Sequence, residues 1–163
     1  MATVMFRPVP VEQEPKRRNR FTLEFPSELG IDSFIVQTSG KPKITINSVE
    51  IKYQNTSHWV AGQYKWEPID IEFLDVIGPS TTQKVMEWVR LHAESATGRM
   101  GYAVGYKKNL VLKALDPVGS DIEKWTMIGC FITSADFDSF DYGSDDIIKC
   151  KITVQPDRCL LSA

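Results

Sequence analysis

The chain has 163 residues, 42% of them hydrophobic and 25% charged, with a formal net charge of −2. That is enough chain for one core without disulfides, and it excludes a disordered polymer and a protein that holds nucleic acid by bulk positive charge. No apolar run reaches the roughly 20 residues that cross a bilayer, and Met1–Phe6 runs into Arg7, Pro8 and Pro10 rather than a secretory apolar stretch, so no membrane anchor is expected and folding in a cytoplasm is the default.

Residues 1–19 hold three prolines upstream of the cationic run Lys16, Arg17, Arg18 and Arg20. This composition predicts a flexible N-terminal arm, either docked on a neighbouring surface or left as a solvated tail. The folded texture starts at residue 20. Phe21, Leu23 and Phe25 alternate with Thr22 and Glu24 as a first strand stopped by Pro26, and a second strand is expected from Phe34 to Thr38 before the turn residues Ser39, Gly40 and Pro42.

Lys43 to Tyr53 reads as a longer strand with a phase change. Ile44 and Ile46 fall on one period-2 phase and Val49, Ile51 and Tyr53 on the other, which requires a bulge or a switch of buried face near Asn47 and Ser48. Gln54 to Gln63 is polar and interrupted around His58 and Trp59, and predicts a protruding loop. A return strand is expected over Lys65 to Val76, with Ile69, Ile71 and Phe73 facing a core and Asp70 and Glu72 facing water.

One helix is expected over Ser80 to Glu94, with Ser80 as N-cap and Gln83 in capping-box position. Val85, Trp88, Val89, His92 and Ala93 recur at helical spacing and predict a single stripe against a sheet. Gly98, Gly101 and Gly105 then predict a loop. Strands follow over Leu110 to Leu115 and Glu123 to Thr133, and a last strand alternates Ile148, Cys150, Ile152 and Val154 against Lys149, Lys151, Thr153 and Gln155 until Pro156 ends it. The sum is a mainly β fold, an antiparallel sandwich or barrel with one packed α-helix. The expected division is an arm over 1–19, a β domain over 20–157 and a tail over 158–163.

Little of this pattern supports catalysis. His92 lies on the packed helix stripe and His58 in a polar loop, so neither is placed as a base for a nucleophile. The glycines after the helix lack G-x-G-x-x-G spacing, and no P-loop lysine motif is present. Asp136, Asp138, Asp141, Asp145 and Asp146 lack the glycine and terminal glutamate of an EF-hand loop, and read as an acidic strand edge that discourages pairing. Cys130, Cys150 and Cys159 form no C-x-x-C pair and read as small buried apolar residues, with Cys159 weighed as a cross-link between subunits. No catalytic residue, cofactor or metal is expected.

Several stretches in their order carry a resemblance. They are Phe34 to Gly40, the long hairpin with its polar tip, Trp66 to Asp75, the helix with Val85 and Trp88, Ile132 to Asp141, and the alternating strand to Pro156. Together they resemble the tail tube proteins of contractile-tailed bacteriophages, related to the tubes of contractile injection systems, over roughly residues 20–157. The resemblance implies a structural virion protein that self-assembles as hexameric rings stacked into an inner tail tube, built in a host cytoplasm. Its partners would be the sheath, tape measure, baseplate and tail-terminator proteins, with DNA passing transiently through the lumen during ejection.

It further implies ring-stacking contacts in the segment Gly40 to Lys65 and at Trp66 beside it, with Lys43, Tyr53, His58, Trp59, Tyr64 and Trp66 as candidates, and in the arm residues Lys16, Arg17, Arg18 and Arg20. Asp70, Glu72, Lys149, Lys151 and Thr153 become lumen candidates, and the aspartate-rich segment an acidic surface toward such a conduit. The alternatives are a baseplate or tube-initiator protein, a secretion-system tube protein, and a monomeric β-sandwich module binding a ligand through Trp59, His58 and Tyr64.

Overall fold

The structure, a computed structural model, describes residues 13–162. Residues 1–12 of the expected arm and Ala163 therefore lie outside the described residues. Among the described residues are nine strands, β1 (Phe21–Glu24), β2 (Val36–Ser39), β3 (Ile44–Tyr53), β4 (Thr56–Trp66), β5 (Ile69–Leu74), β6 (Lys108–Leu115), β7 (Asp121–Asp136), β8 (Lys149–Gln155) and β9 (Arg158–Ser162). Helix α1 (Thr81–His92), a single-turn helix α2 (Ala103–Tyr106) and two 3-10 turns, Ser27–Leu29 and Ser33–Ile35, complete the set.

All pairings are antiparallel. Seven strands form one sheet in the order β1-β6-β7-β8-β5-β2 with β9 also on β7, while β3 and β4 pair only with each other. The mainly β, antiparallel expectation with one substantial helix holds, and the sheet does not close on itself.

One-sided alternation builds the core. Ile69, Ile71 and Phe73 on β5 and Cys150, Ile152 and Val154 on β8 are buried, meeting Leu23, Leu110, Leu112, Met127 and Cys130 from the other strands. Helix α1 lays Val85 and Trp88 onto this core, both essentially inaccessible, and Trp88 Nε1 donates to Tyr106 O at 2.8 Å, so a large apolar body is buried without orphaning its one donor. The predicted stripe is correct, and Ser80 occupies the N-cap position. Ser80 makes no side-chain cap bond. Asp75, projecting from the end of β5, accepts from Thr82 Oγ1 at 2.8 Å and Thr82 N at 3.4 Å, which puts a carboxylate at the positive end of the helix.

Four boundaries differ from the sequence reading. Phe34 does not start a strand but lies in a 3-10 turn, 76% exposed. The loop expected over Gln54 to Gln63 is mostly strand, since Thr56 already pairs with Tyr53 and only Gln54 and Asn55 form the turn. The expected return strand over Lys65 to Val76 is split at Glu67 and Pro68 into the end of β4 and the separate strand β5. The glycine-rich stretch after α1 holds α2, and Gly101 approaches the end of α1 so closely that a Cβ there would sit 1.9 Å from Leu91 O.

The expected tail over 158–163 is also corrected, for residues 158–162 are strand β9. Pro156 has no N–H and breaks the ladder, but Asp157 N donates to Ile128 O at 3.0 Å and pairing with β7 resumes at Arg158 opposite Ile128. β8 and β9 are thus one strand along one edge of β7, interrupted for two residues. The matching kink on β7 is at Gly129, φ +69°, a left-handed conformation that glycine adopts without steric cost.

Candidate assembly interface

The β3–β4 hairpin is the most unusual surface. Its register runs Ile44 opposite Trp66 and Ile46 opposite Tyr64, then shifts so that Ser48 faces Ala61 and Val49 faces Val60. The extra residue lies on β4, at Gly62 and Gln63 opposite Asn47, where a Cβ on Gly62 would stand only 3.1 Å from Asn47 O. Because β3 itself alternates without interruption, its apolar residues change face across this bulge. Near the base one face presents Ile44, Ile46 and Tyr64. Toward the tip the opposite face presents Val49, Ile51, Tyr53 and Val60. The expected phase change is real, and a switch of face resolves it.

None of these side chains is covered. Tyr53 is 70%, Tyr64 65% and Trp59 62% exposed, and Ile44, Ile46, Val49, Ile51 and Val60 are exposed as well. Lys43 and His58 are also on the surface. Trp66 is the exception among the hairpin candidates. It is half-buried, its ring edge-on to Trp125 at 6.3 Å and its carbonyl accepting from Gln155 Nε2 at 2.8 Å, so it anchors the hairpin base to the body. His58 pairs opposite Ile51 while Trp59 pairs opposite Glu50, which places them on opposite faces of the ribbon. The ligand platform of His58, Trp59 and Tyr64 is therefore not assembled, because adjacent strand residues point apart.

The lumen candidates form a second, polar surface. Asp70 pairs opposite Thr153 and Glu72 opposite Lys151 on the outer face of the sheet. Thr153 Oγ1 donates to Asp70 Oδ1 at 2.8 Å, and Lys149 Nζ lies 3.2 Å from Glu72 Oε1. Asp136 joins the same row opposite Lys151. The face therefore carries three carboxylates and two ammonium groups in neighbouring register positions, with Lys149 and Glu72 in direct contact. Sequence alternation found Asp70, Glu72, Lys149, Lys151 and Thr153; only strand register shows that they are neighbours.

The cationic segment has a partner that the sequence did not reveal. Glu123 on β7 is buried beneath Lys16 and Lys41, its Oε1 lying 2.6 Å from Lys41 Nζ, and it also accepts from Lys16 Nζ and Trp125 Nε1. The hydrogen bonds from Lys16, Lys41 and Trp125 hold its carboxyl down at about 2. Arg20 lies 3.8 Å from Glu14, while Arg17 and Arg18 make no ion pair among the described residues.

The remaining candidates are structural. His92 packs against Tyr106 with ring centroids 4.4 Å apart. Burial pushes the thiol of Cys130 up to about 12 and those of Cys150 and Cys159 to about 11. Cys159, weighed as a cross-link between subunits, is buried against β7, so its sulfur faces the core and not a neighbour. Among the described residues no group of three or more His, Cys, Asp and Glu side chains is placed to hold a metal.

An open antiparallel sheet with one packed helix and a long hairpin standing apart from it is the fold of the tail-tube and tube-terminator proteins of contractile injection systems. A chain of the anti-feeding prophage cap, its tube-terminating cap, superposes with a TM-score of 0.75 at 19% identity, covering 99% of each chain. A chain of the sheath-tube complex of an extracellular contractile injection system, PVC, in its extended state gives 0.73 at 19% identity over 93% of each chain. One from the anti-feeding prophage baseplate gives 0.68 at 13% identity, covering 92% of this chain and 97% of that one. No protein-family model matches the sequence, and no curated protein matches it.

Proposed function

We propose that this protein is a structural, non-enzymatic subunit of a contractile-system inner tube, which assembles as stacked hexameric rings and encloses a conduit. The observation that carries the reading is the β3–β4 hairpin. A two-stranded ribbon is marginally stable in water on its own, and this one exposes eight large apolar side chains distributed over both faces. Scattered surface apolar residues are ordinary, but a contiguous set on one projecting element marks a surface that is covered in the working state. A second copy supplies the cover without any other protein, and the open sheet edges of β1, β2 and β9 are satisfied in the same way when neighbours complete the wall.

On this reading the row of Asp70, Glu72, Lys149, Lys151 and Thr153 faces the bore. Its mixed charge suits a conduit for DNA, because carboxylates beside each ammonium group deny phosphates the uninterrupted cationic track that makes binding tight. Sheath, tape measure, baseplate and terminator proteins are the partners such a tube requires, in a virion or an injection particle assembled in a host cytoplasm.

Electron microscopy of the concentrated protein, alongside a chain in which residues 46–64 are replaced by a short glycine-asparagine turn, tests the reading. Hollow tubes are expected from the intact chain, and a folded monomer from the shortened one. Single rings that never lengthen would indicate a terminator or initiator role. Assembly of the shortened chain at the intact chain's concentration, or an intact chain that stays monomeric at its highest soluble concentration, would overturn the proposal.

A further inference from the structure

Two unmatched surfaces remain, of opposite charge. The first is a cavity of about 580 Å³ between the 16–20 segment, β2 and the start of β7. Its floor is apolar, made by Phe21, Leu112 and Trp125. Around it stand Lys16, Arg17, Arg18, Arg20 and Lys41, while the ammonium group of Lys113 is held by Glu24 and Asp121, and Glu123 is the one carboxylate among the lining residues. Glu123 is already held by Lys16 and Lys41, so Arg17 and Arg18 at the rim remain without an ion pair among the described residues.

The second is the connection between β7 and β8. Together with Asp136 at the end of β7, the stretch to Ile148 carries five aspartates and no lysine or arginine. Its aspartates form no ion pair among the described residues, the side chains of Asp136, Asp138 and Asp141 bonding to backbone N–H groups. Phe140 and Tyr142 at its centre stand fully exposed. A strongly acidic segment that presents two bare aromatic rings is the chemical complement of an apolar cavity ringed by cations. In a chain whose net charge is only −2, the two surfaces concentrate charges of opposite sign in two places.

We infer that the cavity is a socket for the 137–147 segment of a second copy of this chain, with Tyr142 or Phe140 on the Trp125 floor and the aspartates paired with Arg17 and Arg18. The inference deepens the self-assembly reading and rests on it for the encounter between copies. It adds a second contact, independent of the hairpin and different in kind. The hairpin contact is apolar and salt-tolerant; the socket contact is ionic and weakens with salt. An aromatic ring beneath a guanidinium also gains from the cation–π attraction. Because donor segment and socket are different surfaces, each copy gives one and receives one, the heterologous pattern that closes into rings or extends into filaments.

The test does not depend on tubes forming. A fluorescein-labelled peptide of residues 136–147 is titrated with the full-length protein, held dilute enough to be monomeric, and anisotropy is read. Saturable binding is expected. It should weaken at least about tenfold with the R17E/R18E protein, with a peptide carrying F140S and Y142S, and on raising salt from roughly 50 to 500 mM. Arg17 and Arg18 are exposed and hold nothing together, so their reversal leaves the fold intact. Absence of binding to the intact protein, or equal binding to R17E/R18E, overturns the socket. Binding only to a D145K/D146K protein would show the socket filled by the chain's own segment, which overturns the contact between copies.

In assembly, R17E/R18E and D145K/D146K should each raise the concentration needed for tubes at least about tenfold, and the chain carrying both sets should recover. Tubes from both single sets at the intact chain's concentration would overturn the socket while leaving the hairpin-based reading standing. Loss of tubes on hairpin replacement, with peptide binding retained, separates the two contacts.

Discussion

Glu123 shows how one side chain connects the cationic segment to the sheet. It is buried on β7, accepts from Trp125 on its own strand, and is covered by Lys16 and Lys41 from outside the sheet. Replacing it with glutamine removes the charge that both ammonium groups and the indole N–H address. Since Lys16 and Lys41 are themselves largely exposed, solvent screens the ion pairs and the expected loss is about 1 kcal/mol. The carboxyl sits at about 2 in the fold against 4.5 as its ordinary value. A depressed acid contributes stability that is fully present above 4.5 and disappears as pH falls through that value toward 2. Urea titrations should therefore show E123Q less stable than the intact chain at pH 7, and the gap should narrow as pH falls below 4.5 and close near pH 2. An unchanged gap at low pH would mean that the carboxylate contributes through shape and not charge.

At the scale of elements, legibility followed one-sided burial. β5, β8 and α1 were readable because each has one dry and one wet side, so Ile69, Ile71 and Phe73, or Val85 and Trp88, mark the buried face by period alone. β4 reads as a loop in the sequence for the opposite reason. With no residue of Thr56 to Ala61 buried in the chain itself, nothing selected a period, and the bulge at Gly62 removed what alternation remained. β9 is not legible in the sequence because Pro156 ends a ladder locally while Arg158 to Ser162 still find β7 beside them. Glu123 was hidden inside a strand recognised by Trp125, Met127 and Cys130, since a buried carboxylate reads as a wet-face residue until its two lysines are brought to it from distant positions.

The hairpin yields a sharper test at this scale. Val49 and Tyr53 lie on one face and Ile46 and Tyr64 on the other, so V49S/Y53S makes the first face more polar and I46S/Y64S the second without touching the core. Both pairs are exposed in the single chain, and the monomer's melting temperature should move by no more than about 2 °C for either. Assembly should fail for both, because a ribbon gripped on two faces loses its cover when either is made polar. Electron microscopy of each variant checks this. Tubes from one variant and not the other would show that a neighbour covers a single face.

For the whole molecule, the proposed assembly requires that the surface giving the hairpin and the surface receiving it be separate. A chain shortened across residues 46–64 keeps its sheet, its helix and whatever surface receives a neighbour's hairpin, since β3 and β4 pair only with each other. It can be added to a growing end by accepting a hairpin, but it offers none to the next copy. Such a chain acts as a chain terminator, unlike an unfolded mutant, which is simply left out. Mixed with intact protein, it should shorten tubes roughly in inverse proportion to its fraction while leaving the fraction of intact protein that assembles almost unchanged at low dose, the behaviour of a heterologous contact that propagates in one direction. Length distributions from micrographs across a dilution series measure this directly. Tubes of unaltered length at every ratio would mean that the shortened chain never enters the assembly, and that the hairpin is needed to join a tube as well as to extend one.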